Sequence, residues 1–573
     1  MLKKIISFTY LNVILQFTLL LSEDINVPLH DPIYTYLNRL STQGYLDNYI
    51  NTTLPIGRNY ISKKLIILNE NKINLSSIDR KILDNYILQY QYEIKRSVYY
   101  KINNNNNYYH PFQSLNKFKN SLLGIFKYSN ENLENHFFVY QTSKDRLLLD
   151  FGAMTKYRQQ KNKNNILFKY HYSLSIQIGK SLIIHSDADI YSMIYNGNFE
   201  NGFNTYPHEF KGGFPLWRSG YYGYENEMSY EYSNAYIKYH SNFGSISFRS
   251  EPIIWGNGLS SIILSNNSPA FPNLSWEKYI GNGKISSFHG KIMPKNHEVS
   301  ADGLHIYQKK YLVGHRWDIN IKNKTSLAFT EMLVYGGRDP EPIYFFPTIF
   351  LWPVQHNMNS IGGDNIIWFF EGSTHLLKGT KIYGTLMLDE LQTSKIFTNA
   401  IENRWGIQLG INIAKYIHNL PFEVKMEFTA IRPWAYTHRI PQLGTYSHNS
   451  RNLGFRHGPN SQLFHIESRW WVNYRNHIIL SYNQLKKGLE PYQETNDDFD
   501  FGNNVNDNYL NANLNKYKNN TPWLIGEINA SKEVSLIWIY NLSNTIDLSL
   551  CLDYYFYKNN NSNSITTSIN FNY

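Results

Sequence analysis

His438, His448 and His457 stand among Arg432, Arg439, Arg451 and Arg456. Three imidazoles suggest a metal ion, but their wide separations match no tight ligand motif. Guanidinium groups suggest other chemistry, because they grip carboxylates in a two-pronged geometry and so suit carboxylate-bearing sugars. A second cluster joins Glu331, Arg338, Asp339 and Glu341 to Tyr335 and Tyr344. Paired carboxylates are the equipment of glycosidases. Ladders of acidic and basic side chains lining a barrel explain the cluster without catalysis, and Asp389 with Glu390 reads the same way. Trp255, Trp352, Trp368, Trp405 and Trp434 suit either sugar stacking or interface packing. The candidate polysaccharide-binding residues are Arg338, Trp352, Arg432, Trp434, Arg451 and Arg456. No catalytic residue, metal ligand or cofactor is expected.

Other motifs fall away on spacing. The run Asn496-Asp497-Asp498-Phe499-Asp500, with Asn503, Asn506 and Asp507, offers oxygen ligands for calcium, yet no Glu closes it as an EF-hand requires. It reads as a solvated loop. Gly256, Gly258, Gly362 and Gly363 precede no Lys-Ser/Thr and helix, so they suit turns and strand bends rather than phosphate binding. Ser260 and Ser261 form no nucleophile elbow.

These residues must be positioned by strands. In Ile565–Tyr573, Ile565, Thr567, Ile569, Phe571 and Tyr573 fall on one face, and Thr566, Ser568, Asn570 and Asn572 on the other. Ile546, Leu548, Leu550, Leu552 and Tyr554 alternate with Asp547, Ser549, Cys551 and Asp553. Val534, Leu536, Trp538 and Tyr540 share a face. The pattern recurs upstream: Leu174, Ile176 and Ile178 against Ser173, Ser175 and Gln177; Ile246 and Phe248 around Ser247; Val424, Met426 and Phe428 among Glu423, Lys425, Glu427 and Thr429. An apolar face ending in aromatic residues, backed by a polar face, is the signature of a transmembrane barrel strand, and a final aromatic residue suits one. The length downstream of about residue 131 accommodates about 16–18 such strands.

Composition agrees. Mean hydropathy is −0.45, which disfavours membrane-spanning helices but not a barrel, whose alternation hides its apolar residues. Aromatic residues make up 16% of the chain, suiting interface girdles and sugar-stacking surfaces alike. The single cysteine, Cys551, excludes an intrachain disulfide. The net charge of +10 favours anionic polymers. No basic helix or RNA-binding strand motif supports nucleic acid among them.

The N-terminus, with Lys3 and Lys4 before the mostly apolar Ile5–Leu21, reads as a signal peptide over residues 1–22. A helical periplasmic or plug region is expected over residues 23–130. Asp31 caps a first helix with Pro32 at its start, Ile33, Tyr36, Leu37 and Leu40 form its stripe, and Gly44 ends it. Asn59–Asn71 and Leu75–Ile94 read as two more helices, Asn103–Asn107 as a linker, and Phe112–Phe126 as a further helical segment. Residues 131–573 are expected to form the barrel.

Several phrases together resemble the Wzi capsule-assembly family. They are His30-Asp31-Pro32-Ile33-Tyr34, Leu54-Pro55-Ile56-Gly57-Arg58, Pro252 to Gly258 followed by Leu264 to Pro269, Gly314-His315-Arg316, Val334 to Arg338, Tyr344 to Pro347, Gln355-His356, Asp364-Asn365, Pro433 to His438, and His457-Gly458-Pro459. They occur in matching order over most of the chain; the Asn-rich insertion at Glu494–Asn520 departs from the pattern. The resemblance implies an outer-membrane barrel with a helical periplasmic part that binds or organises capsular polysaccharide without catalysis.

The expectation is therefore a mainly β chain: a monomeric transmembrane antiparallel barrel in the outer membrane, in contact with membrane lipid and with capsular or other surface polysaccharide. A channel of the same fold and a secreted β-rich glycan hydrolase remain as alternatives.

Overall fold

The computed structural model describes residues 25–98, 108–110, 136–141, 145–160, 163–179, 181–196, 227–294, 298–299, 305–306, 308–322, 324–375, 377–390, 393–395, 398–489, 501–506, 520–543, 545–557 and 560–572. The expected signal peptide, the Asn103–Asn107 linker, the Phe112–Phe126 segment and the Asn496–Asp500 run lie outside them.

A closed antiparallel barrel of 18 strands dominates the molecule, as the alternation predicts. In chain order its strands are β1 Arg146–Gln160, β2 Lys163–Ile178, β3 Leu182–Asn196, β4 Glu227–Ser241, β5 Gly244–Ser250, β6 Asn273–Ile280, β7 Gly283–Ile292, β8 Lys310–Ile321, β9 Thr325–Gly336, β10 Asn365–Thr374, β11 Thr380–Glu390, β12 Arg404–Ile417, β13 Leu420–Ile431, β14 Ser461–Trp471, β15 Asn476–Leu489, β16 Glu527–Asn541, β17 Ile546–Tyr557 and β18 Asn560–Asn572. β18 closes on β1, from Ile565 opposite Gln159 to Asn572 opposite Gly152. In hydrocarbon every backbone polar group must pair within the protein, and closure achieves this by leaving no sheet edge. One rim carries short turns, such as residues 242–243, 281–282 and 418–419; the other carries long connections, such as 251–272, 337–364 and 432–460.

The faces follow the predicted period of two. Ile178, Ile246, Phe248, Met426, Phe428, Leu536, Trp538, Tyr554, Ile565 and Ile569 are exposed on the outer wall. Ser175, Gln177, Ser247, Glu423, Glu427, Asp553, Thr566 and Ser568 are buried on the inner one. No helix among the described residues is long and apolar enough to cross a membrane.

Among the described residues four α-helices precede the barrel: α1 Pro32–Thr42, α2 Arg58–Glu70, α3 Ser77–Gln89 and α4 Gln91–Val98. Local chemistry sets their starts. Asp31 accepts from the Ile33 amide with Pro32 at the first helical position, and Ser76 accepts from the Asp79 amide. The stretch expected as one helix over Leu75–Ile94 is two, broken at Tyr90, whose ring is buried in the helical core. Ile33, Leu37, Leu40, Ile61, Leu65 and Leu83 fill that core.

The helical unit sits against the inner wall at the short-turn rim. Arg39 pairs with Asp79 at 2.5 Å, both fully buried, and its guanidinium lies over the Trp471 ring. Tyr416 of β12 donates to the same Asp79, and Thr52 donates to Asp318 of β8. Glu93 receives Arg58 at 2.7 Å and lies 3.6 Å from Arg146 of β1. Thr53–Leu54 pairs with Ile254–Trp255, a short strand of the β5–β6 connection, so helical unit and inserted loop share a two-stranded sheet.

That connection turns into the barrel. Asn257 donates to Glu371, the Leu259 amide to Glu427, and Gln408 to the Ser260 carbonyl. Gly258 makes this approach possible. Its φ is +98°, and an added Cβ would lie 2.6 Å from both Gln408 Oε1 and Glu427 Oε2. Gly258→Ala is expected to destabilise the barrel by about 1–3 kcal/mol, the usual result of forcing an extra group into packed space. The check is the temperature at which the compact barrel loses its fast mobility in detergent gel electrophoresis; an unchanged temperature would mean that the loop is not held there.

Glu93 supplies a pH test of the helical unit. Burial pushes its carboxyl up, but Arg58 and Arg146 beside it prevail and hold it below its ordinary 4.5. The stabilisation is complete above pH 4.5 and is lost as pH falls through the depressed value. Glu93→Gln should therefore cost about 3 kcal/mol at neutral pH, the scale of a broken buried pair. Thermal unfolding should show the gap between parent and variant narrowing below pH 4.5; a gap constant with pH would refute the ion pair.

Candidate functional site

The six residues singled out from the sequence divide between two places at the long-loop rim. Arg432, Trp434, Arg451 and Arg456 belong to the β13–β14 connection, residues 432–460, which folds inward as a cap. Its core is aromatic: Tyr436 and Tyr446 stack at 5.5 Å, and their hydroxyls donate to the carbonyls of Ile262 and Ile263 in the inserted loop. Ser265 donates to the Gly454 carbonyl, and the Tyr436 amide donates to Asp389 of β11. Inserted loop and cap thus share one apolar core with the inner wall, including Trp255, Phe288, Leu312, Met332 and Phe369.

Within the cap, Trp434 is fully buried against Ile401, Ile525 and Phe501 and offers no face for a sugar. Arg432 is also buried, donating to the carbonyls of Asn399 and Thr521. Both residues therefore build the cap. Arg451 is half-buried beside a tight turn in which Asn449 and Ser450 both have positive φ. Arg456 is exposed to solvent, yet its surroundings in the barrel mouth lower its guanidinium pKa by desolvation, partly offset by the inward carboxylate of Glu533 on β16; Arg439 is exposed nearby in sequence. Burial holds His438 and His448 down at about 4. Both imidazoles are neutral at physiological pH, and the positive charge of the cap comes from its arginines. The described residues hold no group of three or more side chains arranged for a metal.

Arg338 and Trp352 lie on the outside of the wall. The β9–β10 connection, residues 337–364, folds back over the outer faces of β7 to β10 and carries helix α5, Leu351–Gly362. Arg338 grips Asp364 with both terminal nitrogens, at 2.7 and 2.6 Å, and donates its Nε to Glu341. Tyr344 donates to the same Asp364, while Asp339 pairs instead with Lys309. Trp352 is exposed and lies beside His356 and Trp368.

The lumenal-ladder reading of the Glu331–Glu341 cluster is thereby corrected. Glu331 points outward from β9 and accepts from the Leu351 amide and the Trp368 indole. In β9 the inward positions are Thr330, Met332 and Val334, so period two places 331 outside. The ladder of opposite charges is elsewhere on the inner wall. Arg316 of β8 pairs with Asp318 and with Glu371 of β10, and Lys169 and His171 of β2 meet Asp189 of β3. Arg316 and Asp318 alternate with Trp317 and Ile319, which was the sequence signal for an inward ion pair. A polar cavity of about 360 Å³ at the opposite, short-turn rim includes Tyr49, Lys324, Lys378 and Lys381 in its lining and none of the six residues.

An apolar outer band and a closed wall of 18 strands, with helices and loops packed against its inner face, make this an outer-membrane barrel rather than a soluble β-sandwich. The fold is that of Wzi. Wzi of Escherichia coli, described as an outer-membrane protein involved in group 1 capsule assembly and a carbohydrate-binding β-barrel, superposes with a TM-score of 0.55 at 12% identity, over 95% of this chain and 99% of that one. Two further solved barrels match less: OprD from Pseudomonas aeruginosa, with a TM-score of 0.40 at 9% identity over 74% of this chain and 94% of that one, and OccAB4 from Acinetobacter baumannii, with 0.40 at 10% identity over 76% and 99%. No protein-family profile and no curated protein matches the sequence.

The Arg338–Asp364 grip gives a prediction for the outer segment. Arg338→Ala should cost about 3–5 kcal/mol by leaving a buried carboxylate without its cation. Arg338→Lys should fall between parent and Ala, since ammonium lacks the two-pronged fit. Protease cleavage within residues 337–364 of the folded barrel reports the release; equal resistance in all three proteins would show that the grip does not hold the segment.

Proposed function

We propose that this barrel binds capsular or other surface polysaccharide and organises it at the cell surface, without catalysis and as a monomer. The observation that carries the reading is the cap. It is a rigid aromatic platform inside the barrel mouth, joined to the inserted loop, with Arg439 and Arg456 exposed and Arg451 half-exposed. Guanidinium groups on a fixed base suit the carboxylates of an anionic glycan, and a repeating polymer adds many weak contacts into useful avidity. The likeness of the fold to a barrel described as carbohydrate-binding supports the same reading. In this proposal Arg451 and Arg456 touch glycan, Arg432 and Trp434 hold the cap in shape, and Arg338 and Trp352 act outside the barrel. Long loops of such barrels face the outside and short turns the periplasm, so the cap would face the polymer and the helical unit the periplasm.

The test compares a deletion strain, its complemented parent and a strain carrying Arg451→Ala with Arg456→Ala. Deletion should move surface polysaccharide into the medium at unchanged total amount, and the double variant should reproduce a large part of that shift while the barrel still assembles. Polysaccharide that stays on the deletion cells would overturn the proposal and bring the channel reading forward, to be examined by conductance in a planar bilayer.

A further inference from the structure

The 337–364 segment covers part of the outer wall where a barrel normally meets lipid. Beneath it, outward positions of β7, β8 and β9 carry polar side chains: His289, His315, Glu331 and Tyr335. Each is matched. His289 bonds the Tyr335 hydroxyl at 2.7 Å, Tyr335 accepts from the Glu341 amide, His315 bonds the Ile349 carbonyl at 2.8 Å, and Glu331 accepts from the Leu351 amide at 2.8 Å. Tyr311, Val313, Leu333 and Tyr335 are buried under the same segment with Tyr344 and Leu351.

The height of this patch decides what lies against it. On β17 the outward apolar run extends from Leu548 through Leu550 and Leu552 to Tyr554. On β8 the outward run that is not buried is confined to the half-buried Trp317 and the exposed Ile319 and Ile321. At about 3.3 Å per residue and a tilt near 40°, that bare run spans roughly 10 Å of an apolar band about 25 Å tall. His315 and Val313 continue the run along β8 and fall within the remainder of the band, where the segment covers them. The segment's own outer surface is aromatic: Phe345 is 41% exposed, Phe346 61%, Phe350 59% and Trp352 43%. It is continuous with the bare wall. Phe350 stacks on Trp317 at 5.3 Å, Trp317 on Phe329 at 5.6 Å, Phe329 lies 5.1 Å from Phe370, and Trp352 lies 6.0 Å from Trp368. Further along α5 the exposed residues among the described side chains are His356 and Asn357, and the segment ends in the Arg338–Asp364 grip, so it runs from aromatic to polar as an interfacial element does.

We propose that residues 337–364 form a membrane-embedded flap: the segment lies in the leaflet on the long-loop side, and Phe345, Phe346, Phe350 and Trp352 contact lipid acyl chains in place of the wall behind them. The flap removes four polar side chains from hydrocarbon and fixes the depth and rotation of the barrel beneath the cap. The occupant of this surface is lipid, because its aromatic residues prolong a face that is already lipid-facing.

The experiment places one nitroxide label at a time in a Cys551→Ser background of the full chain in liposomes: Phe346→Cys on the flap, Phe248→Cys on the bare wall as the lipid reference, and Lys322→Cys in a short turn as the water reference. Label relaxation by oxygen is compared with relaxation by a water-soluble nickel chelate. The flap label should behave like the wall label, with oxygen dominating. Relaxation dominated by nickel, as at the turn, would overturn the proposal, and so would protection from both agents, which would mean that protein covers the flap. Should Phe346→Cys fail to assemble, Phe350→Cys serves with the same criteria.

Discussion

One buried guanidinium ties the interior together. Arg316, inward on β8, pairs with Asp318 on its own strand and Glu371 on β10, and donates to Thr330 on β9. Each of the two carboxylates has a second engagement. Asp318 accepts from Thr52 of the helical unit, and Glu371 accepts from Asn257 of the inserted loop. Lys381 of β11 donates to the same Asn257. Arg316 thus holds two carboxylates, and a second cation, Lys381, reaches the group through Asn257, all of them buried. Breaking one member would leave an uncompensated charge, which costs far more than a surface pair. Arg316 therefore links wall, helical unit and inserted loop through its two carboxylate partners.

The cap rests on what this arrangement holds. The inserted loop presents the carbonyls of Ile262 and Ile263 at the height where Tyr436 and Tyr446 donate to them, and the rest of the cap packs around those two rings. Under the proposed function such packing would favour binding of a flexible polymer, since less ordering would remain to be done on the protein side. The same economy of polar groups governs the outside. Four outward polar side chains would be costly in lipid; backbone groups of the 337–364 segment pair with Tyr335, His315 and Glu331, and the Tyr335 hydroxyl pairs with His289, while the segment turns phenylalanine and tryptophan outward.

Much of this was legible in the residues. The run from Ile546 to Tyr554 showed which face meets lipid, and Asp31 with Pro32 marked the first helix to the residue. The single long helix over Leu75–Ile94 was misjudged because the apolar stripe continues across Tyr90, and only packing of that ring in the helical core reveals the break. The six candidate residues were chosen by chemical type, and type does not report direction. Trp434 and Trp352 look alike in the sequence, yet one is fully buried and the other exposed on the outer wall.

By itself the sequence determined the barrel, its two faces and the helix caps, because these rest on periods and contacts spanning a few residues, which hold wherever the segment is placed. Tertiary structure alone decided that the 251–272 and 432–460 connections turn inward, that 337–364 turns outward, and that Glu331 lies beneath it. Those outcomes depend on pairs far apart in the chain, such as Asn257 with Glu371, Tyr436 with Ile262 and Arg338 with Asp364. No local pattern records such pairs; they exist only once the closed wall has brought their strands together.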